Sequence, residues 1–197
     1  MIYMTVKKVN EIYVTKCVSF PRSGHHWLHT RLQSYFERRF NYCEKYNNPE
    51  KMIDVCPITN YQKTHDFELK EQIHTDIKHI IQIRNFEDAC ISYYRLEKLK
   101  FVTNTNPPIQ SEKPFVDVQS DDYVGFRCDK KIYYDGFVKK WIENTIPNSL
   151  VIRYEDMIKD SLKEMSSVIN FITDDDLDLD KLKWIHLRFD GQTKCTL

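Results

Sequence analysis

A run of β-branched and aromatic residues at 12–20 (IYVTKCVSF) halts at Pro21-Arg22-Ser23-Gly24 and gives way to a helical pattern. In that pattern Leu28, Leu32, Tyr35, Phe36 and Phe40 fall on one face at spacings of three and four. A buried strand, a tight turn and an amphipathic helix, in that order, are the opening unit of an α/β sheet. The rest of the chain repeats the alternation. A short strand is expected at 58–63 and clear strands at 78–84 (KHIIQIR) and 149–154 (SLVIRY). Between and after them, helices place Phe86, Ala89, Cys90, Tyr93 and Tyr94 on one stripe, then Ile132, Tyr133, Gly136, Phe137 and Trp141, then Ile158, Leu162, Met165, Ile169 and Ile172. Asp174-Asp175-Asp176 reads as the acidic start of a last helix reaching about His186, and 41–54 reads as a polar loop. Strands alternating with helices imply a parallel sheet covered on both faces, a three-layer α/β architecture. In such sheets ligands bind beyond the carboxyl ends of the strands, so the turns after Phe20, Lys63 and Arg84 are where chemistry is expected.

Composition narrows the function. The 197 residues form a single domain by length, with 41% apolar and 29% charged residues, which excludes a largely disordered chain. Lys+Arg and Asp+Glu are 29 each, so nothing favours nucleic acid as a partner, although a local basic pocket for a small anion stays open. There is no run of 18 apolar residues to span a membrane and no apolar leader at the N-terminus, so a cytoplasmic location is expected. The six cysteines, Cys17, Cys43, Cys56, Cys90, Cys128 and Cys195, show no C-x-x-C or metal-type spacing and are expected to be reduced thiols. The stretch 101–123, with Pro107, Pro108 and Pro114, reads as a lid or binding loop.

Four segments carry candidate chemistry. At the first turn, backbone N–H groups and the positive end of the helix dipole converge near Gly24, and Arg22 adds a planar donor fork. This suits phosphate or sulfate, yet it is not G-x-x-x-x-G-K-[ST], and no Lys-Ser/Thr pair is there to hold magnesium. Lys63-Thr64-His65 places a histidine at a strand end, where it is either a general base or a structural residue. Arg84, at the end of 78–84, and Ser92, two turns into the next helix, can reach one anion. In Arg153-Tyr154-Glu155-Asp156-Met157, Asp156 or Glu155 reads as the cap of the helix that follows.

Taken together, PRSG-x-x-W-L, K-T-H, RN-x-x-D-x-x-x-S-Y-Y-R and YEDM, in this order, resemble the cytosolic-type sulfotransferases, which use 3′-phosphoadenosine 5′-phosphosulfate (PAPS) and release PAP. The resemblance runs from about Val14 to Phe189 and implies a P-loop NTPase-like fold. It further implies that Arg22, Ser23, Gly24, His25, His26 and Trp27 form the 5′-phosphosulfate loop. Trp27 and Phe189 would pack on adenine, Arg84 and Ser92 would grip the 3′-phosphate, and an adenine-contacting tyrosine is expected at Tyr133 or Tyr134. His65 matches the catalytic base and Lys63 the lysine beside it. Arg22 stands where most cytosolic members have lysine, and His25-His26 replaces a pair of hydroxyl residues. The family's basic, Gly-rich R-K-G-x-x-G-x-x-K segment finds only an echo in Gly191-Gln192-Thr193-Lys194, which implies weaker donor binding or another loop in its place.

The expected reaction is direct in-line transfer without a metal, from PAPS to a hydroxyl or amine on a small-molecule or carbohydrate acceptor. His65 takes the acceptor proton, and Arg22 and Lys63 stabilise the departing nucleotide. The other reading is a nucleotide-binding or interaction protein that kept the fold and lost the reaction. A P-loop kinase is disfavoured by the missing Lys-Ser/Thr pair. Phe101, Phe115 and Tyr123 hint at an apolar or aromatic acceptor.

Overall fold

The computed structural model describes residues 6–45, 56–103 and 115–193. The chain enters through a two-strand hairpin, β1 (Lys8–Val9) and β2 (Ile12–Tyr13), which turns through Asn10 and Glu11, both at positive φ. After it comes β3 (Thr15–Ser19), every residue of which is buried. A helix α1 (His25–Phe36) leads through a short 3-10 turn to β4 (Tyr42–Glu44), and β5 (Tyr61–Thr64) and β6 (Lys78–Ile83) follow. Two long helices, α2 (Phe86–Thr103) and α3 (Asp121–Trp141), precede β7 (Ser149–Arg153), and α4 (Tyr154–Lys159), α5 (Ser161–Ile172) and α6 (Leu179–Thr193) complete the fold.

The five strands β4-β5-β3-β6-β7 pair in parallel in that order. The centre of the sheet is β3, with Cys17 opposite Lys63 on one side and Ile80 on the other. Burial on both faces explains its unbroken run of buried positions. Side chains alternate across it. Cys17, Tyr61, Ile80 and Ile152 face a core built with Leu28, Leu32, Met165, Ile169 and Ile185 of α1, α5 and α6. Val18 and Ile81 face the other way, onto Ala89 of α2 and Phe137 and Trp141 of α3. This is the expected three-layer architecture.

Four local expectations need correction. Residues 41–54 are not all loop: Tyr42, Cys43 and Glu44 pair with Tyr61, Gln62 and Lys63 as an edge strand, too short for its alternation to stand out in sequence. Of the stretch 101–123 expected to be loop, residues up to Thr103 belong to α2 and those from Asp121 to α3; residues 104–114 lie outside the described residues. Ile132 and Ile158 face solvent rather than the core. The last helix does not begin at the Asp174 triplet but at Leu179, where Asp178 accepts from the Lys181 N–H at 2.9 Å, and it runs on to Thr193. Asp174 instead binds Lys8 and the Tyr13 hydroxyl, and Asp175 pairs with Arg39, tying the β1–β2 hairpin and the end of α1 to the α5–α6 connection. Among the described residues no helix is long and apolar enough to cross a membrane.

Candidate active site

The carboxyl ends of β3, β5 and β6 lie side by side, and the turn after β3 sets the geometry. Phe20 N–H still donates to the Gln82 carbonyl at 3.0 Å, so the strand stays paired to its last residue. The backbone then curls through two left-handed residues, Arg22 at φ 69° and Gly24 at φ 84°. A left-handed non-glycine residue costs on the order of 1–2 kcal/mol, strain that marks functional turns. Gly24 is required twice over. Its φ suits glycine, and a Cβ there would lie 2.7 Å from both Met157 Cε and Tyr154 Cδ2. The YEDM segment is therefore the wall against which the turn is pressed. The acidic cap expected here is not made: α4 begins at Tyr154 with no side-chain cap, and Glu155 instead accepts from the Asn85 N–H at 2.8 Å, just ahead of α2.

At the start of α1 no side chain caps the helix, so its first-turn N–H groups keep no intrahelical partner and face the turn. Beside them Ser23 is 1% exposed and its hydroxyl has no hydrogen-bond partner. Arg22 Nε donates to Ser92 Oγ at 2.9 Å, and Arg84 Nη1 lies 3.4 Å from the Arg22 carbonyl while its guanidinium stacks 4.2 Å over Tyr154. Thus residues 62 and 70 positions distant from Arg22 meet it at one point. Among the described residues no carboxylate pairs with either guanidinium. Desolvation and the neighbouring Arg84 charge lower the proton affinity of Arg22. Two cations with no counter-charge among the described residues, an open helix N-terminus and an unpartnered buried hydroxyl form a site suited to an anion.

His65 lies one strand away. Its Nδ1 is 2.7 Å from the Ser19 carbonyl and 3.2 Å from Ser19 Oγ, and the Tyr133 hydroxyl donates to its own carbonyl. A carbonyl only accepts, so Nδ1 carries the proton and the neutral ring presents Nε2 as its basic nitrogen. Desolvation, helped by the Lys63 charge, pulls the imidazole down to about 4. The residue after it, Asp66, is also left-handed at φ 50° and is anchored by Lys140 Nζ at 2.7 Å and Trp141 Nε1 at 2.8 Å.

The remaining predicted residues divide. Lys63 is close by, but its Nζ is bonded to Glu44 Oε1 at 3.0 Å, and the same oxygen accepts from Tyr42 OH at 2.7 Å. Burial opposes the charge on Glu44, yet these hydrogen bonds hold its pKa below the usual carboxylate value. The His25 side chain does not face the turn. It is buried, with Nδ1 3.2 Å from Gln82 Oε1 and Nε2 3.3 Å from Tyr42 OH, and desolvation pushes it well below the ordinary imidazole value. Only its backbone, at the first position of α1, borders the turn. His26 is exposed, its ring 5.0 Å from that of His29. The Arg31 guanidinium lies against both the Trp27 ring on α1 and the Phe189 ring on α6. Tyr133 and Tyr134 brace the site from α3, Tyr134 OH donating to the Arg84 carbonyl at 3.1 Å.

Sequence reasoning missed Tyr42, Glu44, Gln82 and Arg31. Gln82 alone carried a signal, as a polar residue inside the apolar run 78–83. Of the suggested acceptor aromatics, Tyr123 is 2% exposed and packs on Tyr94 in the α2–α3 core, Phe115 is exposed, and the Phe101 side chain lies outside the described residues.

A sulfotransferase domain profile matches residues 17–182 of the chain. The chain belongs to the sulfotransferase domain family. The mouse sulfotransferase SULT7A1, whose structure was solved in complex with PAP, superposes with a TM-score of 0.57 at 16% identity, covering 91% of this chain and 64% of the mouse chain. That likeness shows the fold, and the present chain spans less than two thirds of that relative's length. A comparison with curated proteins gives no match.

Proposed function

We propose that this chain transfers a sulfuryl group from PAPS to a hydroxyl or amine acceptor, with His65 as the general base. The observation that carries the reading is one cluster: Arg22 and Arg84, with no carboxylate partner among the described residues, and the unpartnered Ser23 hydroxyl, at the uncapped start of α1. Neutral His65 stands one strand away, tied through its Nδ1 to the strand that leads into that site. Family membership supplies the reaction class.

On this reading Arg22, Ser23 and the N–H groups from Gly24 to Trp27 hold the 5′-phosphosulfate, while Arg84 and Ser92 hold the 3′-phosphate and Trp27 and Phe189 the adenine. The Arg22–Ser92 hydrogen bond gives way to phosphate contacts. The acceptor oxygen or nitrogen attacks sulfur as the bond from sulfur to the phosphate oxygen breaks, and the acceptor proton passes to His65 Nε2. The transition state is loose, so positioning and charge stabilisation dominate, and Arg22 lies where the leaving oxygen gains charge. Lys63 joins it when the donor's charge competes with Glu44. A bound polyanion also offsets the Lys63 field at His65, raising its proton affinity as the acceptor proton has to be taken.

Calorimetric titration with PAP, with ADP and with ATP plus magnesium tests the donor site. Binding of the 3′-phosphorylated nucleotide alone is expected. Absence of PAP binding to a folded sample overturns the reading, and a magnesium-dependent preference for ATP replaces it with a kinase-like one.

A further inference from the structure

Arg31 sits on α1 one turn beyond Trp27, so the two side chains share a face of the helix. Its guanidinium carbon lies 3.8 Å from the centre of the Trp27 ring and 5.1 Å from that of Phe189. Its Nη1 donates to the Trp27 carbonyl at 3.3 Å. The arginine is 4% exposed, whereas the two rings it touches are only half-buried. A guanidinium is flat, delocalised and weakly hydrated, and it stacks on an indole face much as a planar heterocycle does.

We propose that Arg31 occupies the base slot of the donor site in the free protein, and that a nucleotide enters by displacing it from the Trp27 face. The proposal rests on the donor reading above, which assigns Trp27 and Phe189 to the adenine. It goes further by making Arg31, which no motif assigns, the residue that sets affinity for the base. The phosphate half of the site is open and undercompensated, while the base half is already filled by the protein's own planar cation. Phosphates therefore dock first, and the purine exchanges with a stacked side chain rather than filling an empty cleft. The contact acts as a built-in competitor, weakening binding of any ligand that brings a base.

The test compares the full chain with Arg31→Ala and Arg31→Met, the latter keeping a long side chain in the packed position. All are made in a Trp184→Phe background, which leaves Trp27 and the buried Trp141 as the indole reporters. PAP, and ribose 5-phosphate as a ligand without a base, are titrated by calorimetry, and acrylamide quenching reports on Trp27. Both variants are expected to bind PAP about three- to tenfold more tightly, the size of a lost stacking competitor. Ribose 5-phosphate affinity is expected not to change, and Trp27 is expected to become more accessible to quencher in Arg31→Ala. Unchanged or weaker PAP binding in both variants, with the parent still binding, overturns the proposal and leaves the donor site standing. A gain for ribose 5-phosphate equal to that for PAP also overturns it, because the effect then lies with the phosphates. Loss of PAP binding in the parent as well defeats the donor reading, and this proposal with it.

Discussion

Two clusters share the carboxyl edge of the sheet, and they are built on opposite plans. On the β3–β6 side, Arg22 and Arg84 stand beside an uncapped helix start and an unpartnered Ser23 hydroxyl. On the β4–β5 side, Lys63 is bonded to Glu44, Glu44 to Tyr42, and Tyr42 lies within reach of His25, which reaches Gln82 in turn. The first cluster is left with surplus positive charge and open donors. The second is internally satisfied. Unsatisfied polar groups cost stability, so a fold keeps them where a ligand will complete them, whereas a closed network holds its members in place. The first cluster is therefore suited to taking up a ligand and the second to holding its own members, and His65 lies between them.

The largest effect is expected at His65, between the two clusters. His65→Ala is expected to lower PAPS-dependent turnover by about a hundredfold or more while leaving PAP affinity within about twofold. Near-normal turnover, measured with any acceptor that the wild type sulfates, breaks the assignment of the base. Arg22→Ala, on the open side, is expected to cost about a hundredfold in turnover and to weaken PAP binding as well, since an uncompensated cation acts on both ground and transition states. Glu44→Gln, on the closed side, is expected to change turnover by about tenfold at most. The substitution frees Lys63 rather than removing it, so the donor gains an unpaired cation and PAP binding is expected to tighten. If Glu44→Gln costs as much as Arg22→Ala, the division into binding and positioning halves fails.

Two smaller effects concern stability. Asp66 is nearly sealed and holds Lys140 and the Trp141 indole, so Asp66→Asn strands a cation and is expected to cost about 3 kcal/mol, read as a fall in Tm or in the denaturant midpoint. His65, His29 and His79 are each pulled down to about 4, chiefly by desolvation, and His25 is lowered too. A histidine depressed in the folded state binds fewer protons there than in the unfolded chain between pH 4 and 6.5. The stability it contributes is therefore present above about pH 6.5 and drains away on acidification toward pH 4. The expected sign is a lower Tm at pH 5 than at pH 7.5, with a shallower slope in His29→Gln.

Much of this was legible in the sequence because it is local. The abrupt end of 12–20 at Pro21 and the shift from a strand to a helical period located the turn between β3 and α1, and the ends of β5 and β6 placed His65 and Arg84 at the same edge of the sheet. What stayed hidden depends on which way a side chain leaves the backbone at an element end, or on partners far along the chain. His25 opens α1, and nothing in HHW tells that the first imidazole turns into the sheet toward Gln82 while the second faces solvent. Glu44 lies on a three-residue edge strand whose meaning comes only from β5 beside it. The Asp174 triplet looked like a helix start, but its charges are spent on Lys8, Tyr13 and Arg39, more than 130 residues away in the chain.

The contact from His65 Nδ1 to the Ser19 carbonyl has an evolutionary side. Many histidine bases are oriented by a carboxylate, and one substitution removes that partner. Here the acceptor is main chain, and no replacement at position 19 deletes it while β3 keeps its pairing with β5 and β6. The ring's tautomer is thus inherited with the sheet rather than with a particular side chain. A lineage can drift far in sequence and still present Nε2 to whatever enters the site.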